Sequence, residues 1–436
     1  MSETSLPHRE RESWWVAILG PEDAAIGARR PPDVVLPPSS GARALRLFGE
    51  PRERLPATAT DGVRGVVWRG ILHDRTELRR GLEPPSRIPA DDAELILTAY
   101  RRFGAQCLEA IKGTFAVILW DSAKDVLVCA RDPLGLHPVF FAEARGNWAI
   151  SDSIDALLRV PGVSPLPSRV SVAMHLASLP LRRERTFFDA VERIPPGHAM
   201  RLEAGRRSVF RYWDPAPPGK AVDWVRPDEI QQFEVLFDQA VARCQSQGRS
   251  GIFLSGGLDS ASIAAVAVDN SRRSGASAPI ALSLLFPDPE CDEETIQRAM
   301  ARSLGLEHLA LPFADALGPA GLLQTALDIS SRLPAPLDNF WLPAYYTLTQ
   351  EGKRRGCERI LTGTGGDEWL SVTPLLAADL IPSLDVSGLY RLWKVLEASY
   401  KIPRAAMTRN LLWTNGVRPL LGGTAASILS SWAPGL

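Results

Sequence analysis

The sequence predicts an α/β protein of two domains, and three features of the chain support this prediction. Residues 13–213 are rich in short strands, whereas strands alternate with helices from residue 227 onward. A proline-rich stretch at residues 214–220 (DPAPPGK) separates the two regions. A chain of 436 residues is also too long for one compact core. We therefore predict a first domain over 13–213, a linker over 214–226 and a second domain over 227–436.

The first domain is predicted to follow a polar, disordered tail, residues 1–12. Its first strand is expected at 13–20. Runs of β-branched and aromatic residues, broken by Gly, Pro and Asp, predict further strands at 66–68, 114–120, 126–129 and 139–141. One helix, 91–103, interrupts them.

The second domain reads as alternating helices and strands. Helical periodicity spans 227–245, a short apolar strand follows at 251–254, a second helix covers 261–268, and a second strand covers 279–286. Such alternation favours a parallel sheet with helices on both faces.

Charge and hydropathy exclude several classes of protein. The formal net charge is -1, so the chain has no basic field for nucleic acid. No apolar run approaches the roughly eighteen residues that cross a bilayer. Glu3, Glu10 and Glu12 lie where a signal peptide would be cationic and then apolar. We predict a cytoplasmic protein that binds neither nucleic acid nor membrane.

The cysteines and histidines show no metal-ligand spacing. The cysteines are scattered without a C-x-x-C pair, so we expect small buried residues in a reducing compartment. These are Cys107, Cys129, Cys244, Cys291 and Cys357. The six histidines never fall at zinc-ligand spacing, and we expect them to be structural.

The strongest motif is an apolar strand followed by a glycine turn and a helix, residues 251–260 (GIFLSGGLDS). Gly256 and Gly257 let the backbone point successive N–H groups at an anion, and the hydroxyls of Ser255 and Ser260 add donors. Asp259 is positioned to bind magnesium. No Walker string G-x-x-x-x-G-K-[ST] occurs, so transfer of a γ-phosphoryl group is disfavoured. The motif predicts a site for a phosphate chain.

Residues 255–260 resemble the pyrophosphate loop of the N-type ATP pyrophosphatases. Residues 360–368 (ILTGTGGDE) resemble the strand-then-loop signature of the asparagine synthetase superfamily. The resemblance implies that ATP is cleaved between its α and β phosphates and that AMP is carried onto a carboxylate. Two carboxylates around Mg²⁺ would neutralise the charge that ATP and a carboxylate bring together.

The same resemblance implies a set of site residues. ATP and pyrophosphate would contact Leu254, Ser255, Gly256, Gly257, Asp259, Ser260, Thr362 and Gly363. Asp259 and Asp367 would share the Mg²⁺ ion, and Thr364 and Asp367 would be the catalytic positions. A nearby acidic pair, Asp292 and Glu293, also matches the superfamily, and we assign it no chemistry.

The first domain resembles the glutaminase domain of asparagine synthetases, an N-terminal-nucleophile sandwich with αββα layers. The resemblance is carried by residues 113–121, 131–135, 151–155 and 194–198. The resulting fold class is α/β with two domains: a degenerate Ntn-hydrolase-like αββα sandwich and a parallel-sheet ATP-pyrophosphatase domain.

Glutaminase chemistry is not expected from this domain. Ser2 follows Met1 where the family has its nucleophilic cysteine, and the first cysteine is Cys107. The segment Arg69-Gly70-Ile71 replaces an Asn-Gly-Glu that is expected to hold glutamine, whereas Asp92 is kept and is interpreted as a helix-start carboxylate. The domain is predicted to be a scaffold.

Residues 362–369 (TGTGGDEW) resemble the lasso peptide macrolactam cyclases. Thr364 occupies a slot that is usually Glu in asparagine synthetases, and a threonine hydroxyl cannot act unaided as a general base at neutral pH. A cyclase would join an Asp or Glu side chain of a precursor peptide to the peptide's N-terminal amine, with a leader-binding protein and a protease as pathway partners. Two alternatives stay open: an ammonia-dependent, asparagine synthetase-like enzyme, and a non-catalytic nucleotide-binding scaffold.

The segment after the Asp367-Glu368 pair is shorter than in the superfamily, which continues through further helices and a late lysine. Residues 369–436 contain two lysines, Lys394 and Lys401, outside any known motif. This difference predicts a truncated chain, an incomplete gene product or impaired catalysis.

Overall fold

The computed structural model describes residues 14–20, 31–36, 43–51, 54–82, 89–215, 225–245, 248–331, 333–337, 339, 341–370 and 372–422. The chain divides into two compact units. One comprises residues up to 217 together with 320–343, and the other comprises 218–319 and the residues from 344 onward.

The first unit is built on two sheets. Its strands are β1 (Trp14–Gly20), β2 (Val34–Val35), β3 (Ala44–Glu50), β4 (Ala57–Thr60), β5 (Arg64–His73), β6 (Lys112–Asp121), β7 (Val126–Arg131), β8 (Phe140–Ala144), β9 (Asn147–Ser151), β10 (Glu192–Arg193), β11 (His198–Glu203) and β12 (Arg206–Arg211). The first sheet has the order β10-β8-β9-β1-β3-β2 and the second β12-β11-β7-β6-β5-β4. All of these neighbouring strands are antiparallel.

The chain up to residue 217 also contains helices. They are α1 (Arg75–Arg80), α2 (Asp92–Phe103), α3 (Ile154–Leu158) and α4 (Arg169–Leu176), with a 3₁₀ helix at Gly104–Ala110. Helix α2 begins at the cap Asp91, whose carboxylate accepts a hydrogen bond from the backbone N–H of Glu94. Its apolar residues Ala93, Ile96 and Tyr100 recur at helical spacing and are buried.

Strand β6 shows how the layers are packed. Val117 and Leu119 belong to the cluster that includes α2, whereas Ile118 and Trp120 belong to the cluster between the sheets. Alternate side chains of a strand point to opposite faces, so both faces of this sheet are buried. A third cluster packs α3 on the outer face of the first sheet. The predicted αββα layering is confirmed.

The C-terminal half carries a parallel sheet. Its strands are β13 (Ser250–Phe253), β14 (Ile280–Leu285), β15 (Glu307–Pro312) and β16 (Arg359–Leu361), in the order β15-β14-β13-β16. All three pairings are parallel. The helices are α5 (Pro227–Gln245), α6 (Leu258–Ser274), α7 (Glu294–Leu304), α8 (Phe313–Leu317), α9 (Gly321–Ser330), α10 (Leu342–Arg354), α11 (Gly366–Leu370), α12 (Ala377–Leu380), α13 (Val386–Ser399) and α14 (Arg404–Arg409). A 3₁₀ turn at Pro374–Leu376 and a π-helix at Asn410–Val417 complete it.

Apolar clusters lie on both faces of this sheet. One joins Ile252 and Ala281 to residues of α5, α6 and α7, and the other joins Leu282 and Leu284 to residues of α8 and α10. The predicted parallel sheet with helices on both faces is confirmed.

The prediction of buried cysteines is confirmed at three positions, Cys244 is half-buried, and the prediction is wrong at Cys291. Cys107, Cys129 and Cys357 are buried, but Cys291 is exposed because it lies in the polar turn between β14 and α7. No described helix is long and apolar enough to cross a membrane. The tail predicted for residues 1–12 and most of the predicted linker lie outside the described residues.

Candidate active site

The glycine turn after β13 is closed by hydrogen bonds among its own serines. Ser260 Oγ lies 2.9 Å from Ser255 Oγ and accepts a hydrogen bond from the Ser255 backbone N–H at 3.1 Å. The Gly257 N–H donates to Ser255 Oγ at 3.2 Å. Gly257 is the N-cap of the long helix α6, whose positive end therefore faces the turn. These features form the expected frame of an anion site.

The second loop follows β16 and leads into α11. Gly365 has φ of 99°, a conformation that favours glycine, and its N–H donates to Glu368 Oε2 at 3.0 Å. The Gly366 N–H donates to the Gly363 carbonyl at 3.1 Å. Thr362 and Thr364 are exposed on this turn, so their hydroxyls are accessible from solvent.

The sheet brings these two loops together. Strands β13 and β16 are parallel neighbours, with Ile252 opposite Leu361, so the loops leave the same edge of the sheet. Strand β14 pairs on the other side of β13, which makes this edge a topological switch point. Ligands bind at such points in open α/β sheets.

Asp259 forms the contact between the loop after β13 and the loop after β16. A methyl group on Gly366 would collide with the Asp259 carboxylate, and one on Gly363 would lie 3.0 Å from the Asp259 Cβ atom. Both glycines are therefore needed for this close approach. Asp367, the next residue after Gly366, opens the first turn of α11. The two predicted metal ligands thus belong to adjoining loops.

The donor set of these loops fits magnesium. Asp259 is half-buried, and its carboxylate has no hydrogen-bond or ion-pair partner among the described residues. No group of three or more His, Cys, Asp or Glu side chains is arranged for a metal in the described part of the chain. Mg²⁺ is commonly held by one or two carboxylates together with the substrate's phosphates. Asp259 and Asp367 could supply those carboxylates.

Two residues that the sequence analysis did not assign to the site, Ser283 and His308, form hydrogen bonds at the end of β13. Ser283 Oγ donates to the Leu254 carbonyl at 2.7 Å, and His308 Nε2 lies 2.9 Å from the same Oγ. Because the serine proton is already used, the imidazole Nε2–H is the donor. Burial lowers the pKa of His308, which favours this neutral form. Predicted residue Leu254 is itself buried and acts through its backbone.

The acidic pair Asp292 and Glu293, to which the sequence analysis assigned no chemistry, lies next to the phosphate loop. The Gly256 N–H donates to Glu293 Oε2 at 2.8 Å, whereas Asp292 Oδ1 accepts from the backbone N–H of Glu294 at 3.0 Å. Only Glu293 contacts the phosphate loop. Its position after the second strand of this sheet was the signal that could have assigned it.

The first unit contains a separate cavity of about 660 Å³. It is lined by Arg69, Ile71, Arg75, Asp92 and His137, among others. Asp92 lies in the first turn of α2, as predicted for a helix-start carboxylate, and pairs with Arg75 at 3.3 Å. Burial raises the pKa of Asp92, and the charge of Arg75 opposes that effect.

Comparison with known proteins assigns a family to each half of the chain. Residues 50–213 match the model of the glutamine amidotransferase domain, and residues 232–413 match that of asparagine synthase. The asparagine-synthase match includes the parallel sheet and both loops of the candidate site. The chain belongs to the asparagine synthetase superfamily.

Three curated relatives have the same level of identity. "Amidase chyE" of Penicillium rubens is 28% identical over 74% of this chain and 49% of its own length. A "putative asparagine synthetase [glutamine-hydrolyzing]" of Mycobacterium bovis is 28% identical over 70% and 46%. "Asparagine synthetase [glutamine-hydrolyzing] 3" of Bacillus subtilis is 28% identical over 51% and 37%. The matched regions span less than half of each relative.

Comparison with solved structures finds a glutamine phosphoribosylpyrophosphate amidotransferase from B. subtilis complexed with ADP and GMP. It is 11% identical, covers 68% of this chain and 59% of its own, and has a TM-score of 0.30. A glutamine aminotransferase class-II domain protein from Silicibacter pomeroyi is 13% identical over 46% and 100%, with a TM-score of 0.25.

Proposed function

We propose that this chain is an ATP-dependent amide ligase that activates a carboxylate as an acyl-adenylate. A carboxylate oxygen attacks the α-phosphorus of ATP and pyrophosphate leaves. An amine then attacks the acyl carbon, AMP leaves and the amine loses a proton. The main support for the proposal is the position of Asp259. Its side chain lies against Gly363 and Gly366, so the phosphate loop contacts the Gly-Asp-Glu loop.

The residues of the first loop are suited to bind the pyrophosphate portion. The hydroxyls of Ser255 and Ser260 and the backbone of Gly256 and Gly257 lie at the N-terminal end of α6. Hydrogen bonds within the turn fix its backbone, and the positive end of α6 favours an anion there. The Leu254 carbonyl, held by Ser283, lies at the start of the turn, and Thr362 and Gly363 lie in the loop after the neighbouring strand β16.

Asp259 and Asp367 would hold the Mg²⁺ ion. When bound, the ion supplies positive charge that offsets the phosphates and the substrate carboxylate. Asp259 suits this role because its carboxylate has no cation beside it among the described residues. Thr364 is exposed beside these groups, where its hydroxyl could orient the substrate.

We further propose that the substrate is a peptide and the product a macrolactam, as in lasso peptide cyclases. The support is the residue pattern of the second loop, in which Thr364 replaces a potential base and Trp369 follows the acidic pair. An amine carried on the same peptide is held near the activated carboxylate, which reduces the need for a separate ammonia source. The expected partners are a precursor peptide, a leader-binding protein and a protease of the same pathway.

A second candidate is an asparagine synthetase-like enzyme that uses free ammonia. It is favoured by the names of two relatives, the asparagine synthetases of M. bovis and B. subtilis. A third candidate, a nucleotide-binding scaffold, differs from both because it would release no pyrophosphate.

Magnesium-dependent release of pyrophosphate from ATP separates these candidates. The assay compares no substrate, aspartate with ammonia, and a panel of leader-trimmed peptides. Release that requires a peptide, with a product lighter by one water, supports the cyclase. Release with aspartate and ammonia supports the second candidate, and no release under any condition contradicts the ligase proposal.

A charge-removing variant tests the metal assignment. Asp259→Asn should abolish pyrophosphate release without unfolding the chain, because it removes a metal charge and almost no volume. Asp269→Asn is the matched control, since Asp269 lies exposed on the same helix and pairs with Arg272. Normal activity of the Asp259 variant would show that Asp259 is not a metal ligand.

A further inference from the structure

The proposed phosphate-binding turn, residues 255–260, is in contact with a carboxylate of the protein itself, that of Glu293. The Glu293 carboxylate accepts a hydrogen bond from the Gly256 N–H at 2.8 Å across 37 positions of sequence. A methyl group built on Gly256 would lie 3.1 Å from both the Cδ and Oε1 atoms of Glu293. The carboxylate therefore lies directly against the turn.

The Gly256 amide differs from its neighbours in the turn. The N–H groups of Ser255 and Gly257 donate to serine hydroxyls of the turn itself. The Gly256 N–H is bound instead by a charged group from the segment that precedes α7. A phosphate oxygen could accept a hydrogen bond from the Gly256 N–H only after displacing the Glu293 carboxylate.

The charge of Glu293 is not compensated by any ion pair within the described residues, although its neighbour Glu294 pairs with Arg298 at 2.6 Å. The charge of Glu293 also affects Tyr345: burial raises the pKa of the Tyr345 phenol, and repulsion from Glu293 raises it further. An uncompensated carboxylate and a phosphate repel each other at short range. The two anions therefore compete for one donor.

We propose that Glu293 is an internal competitor of the phosphate chain, which occupies the turn when no nucleotide is bound and leaves when one binds. The inference rests on the proposed function, since it assumes that the turn binds phosphates. It deepens that function because a returning carboxylate would lower the affinity of the turn for pyrophosphate and so assist product release.

The test measures binding of magnesium pyrophosphate and of ATP by titration calorimetry. Glu293→Ala should bind pyrophosphate about tenfold more tightly than the wild type, a change of about 1.4 kcal/mol. Glu293→Gln should show a smaller gain, because an amide oxygen still accepts from Gly256 but carries no charge. Glu294→Gln removes the same charge one residue away and should bind as the wild type does.

The outcomes separate this inference from the proposed function. If the wild type binds neither ATP nor pyrophosphate, the proposed function fails. If the wild type binds and Glu293→Ala binds equally or more weakly, Glu293 merely supports the turn and the competitor role is wrong. Thermal unfolding of each variant identifies any loss of fold, and Glu293→Gln, which keeps the hydrogen bond, still decides the question if the alanine variant is unstable.

Discussion

Gly363 and Gly366 lie where no larger side chain fits beside Asp259. Overpacking of this kind costs about 1–3 kcal/mol and moves the groups involved. Displacement of a reacting group by about 1 Å can lower a rate on the order of a hundredfold. A single added methyl group at one of these glycines therefore tests whether the contact between the loops matters for activity.

Gly366→Ala should lower the rate of pyrophosphate release on the order of a hundredfold while the chain stays folded. Gly422→Ala is the control, because a methyl group there meets no atom within 4 Å. Steady-state rates and circular dichroism of both variants are the measurements. An unimpaired Gly366→Ala enzyme would mean that the close approach to Asp259 does not matter.

His308 should make the stability of the second unit depend on pH. Its pKa is lowered in the fold, mainly by burial, so the unfolded chain binds a proton more readily. The neutral ring therefore contributes fully above its ordinary pKa of about 6.5, and this contribution is lost as the pH falls toward the lowered pKa. Urea unfolding of the wild type and His308→Gln between about pH 8 and pH 5 should show a shallower decline in the variant. Parallel curves would contradict this assignment.

At the residue scale, the sequence predicted Asp259 and its neighbours because a glycine turn after an apolar strand is a local pattern. The contact of Glu293 with Gly256 was not predictable in the same way. It depends on the conformation of the turn before α7, which no local pattern specifies. The same holds for His308, which meets Ser283 through the pairing of β14 and β15.

At the scale of elements, helix α2 offers a test of capping. Asp91 accepts from the Glu94 N–H at 2.9 Å, and Glu94 accepts from the Ala90 N–H at 2.7 Å. Asp91→Ala should lower the free energy of unfolding by about 1 kcal/mol, whereas Asp91→Asn should change it little. Chemical denaturation measures both. Equal losses in the two variants would point to the charge rather than the cap.

Elements were predictable where their apolar pattern was continuous. The periodicity over 227–245 gave the bounds of α5. Helix α6 extends well beyond the predicted 261–268, to Ser274, because its last turns consist of polar residues, including the buried Asn270 and Ser271, and so lack apolar periodicity. Gly275, with φ of 69°, ends it.

At the scale of the whole molecule, the first unit contains a cavity in which two of the side chains expected to hold glutamine are replaced. Arg69 and Ile71 line it where an amide and a carboxylate are expected from the family pattern. We predict that incubation with glutamine yields no glutamate above background, with or without ATP. An enzyme-coupled glutamate assay is the measurement, and a glutaminase of the superfamily is the positive control. Glutamate formation would overturn the scaffold interpretation.

The two-domain α/β fold could be predicted from composition and alternation of elements, but the strand order could not. Strand β16 follows β15 in the sequence and yet lies beside β13. Only the strand order of the folded sheet shows that the loops after β13 and β16 leave adjacent positions. The family resemblance gave the candidate residues of both loops, and the fold brings Asp259 against Gly363 and Gly366.

The register of β16 against β13 also sets a length constraint. Strand β16 has three residues, and its last one, Leu361, lies two positions before Gly363. A strand advances about 3.3 Å per residue, so one inserted or deleted residue between Leu361 and Gly366 would shift the second loop past Asp259 by about that distance. The segment is a spacer of fixed length: substitutions at Thr362 or Thr364 keep this spacing and affect only the roles of their side chains, but insertions and deletions would separate the halves of the site.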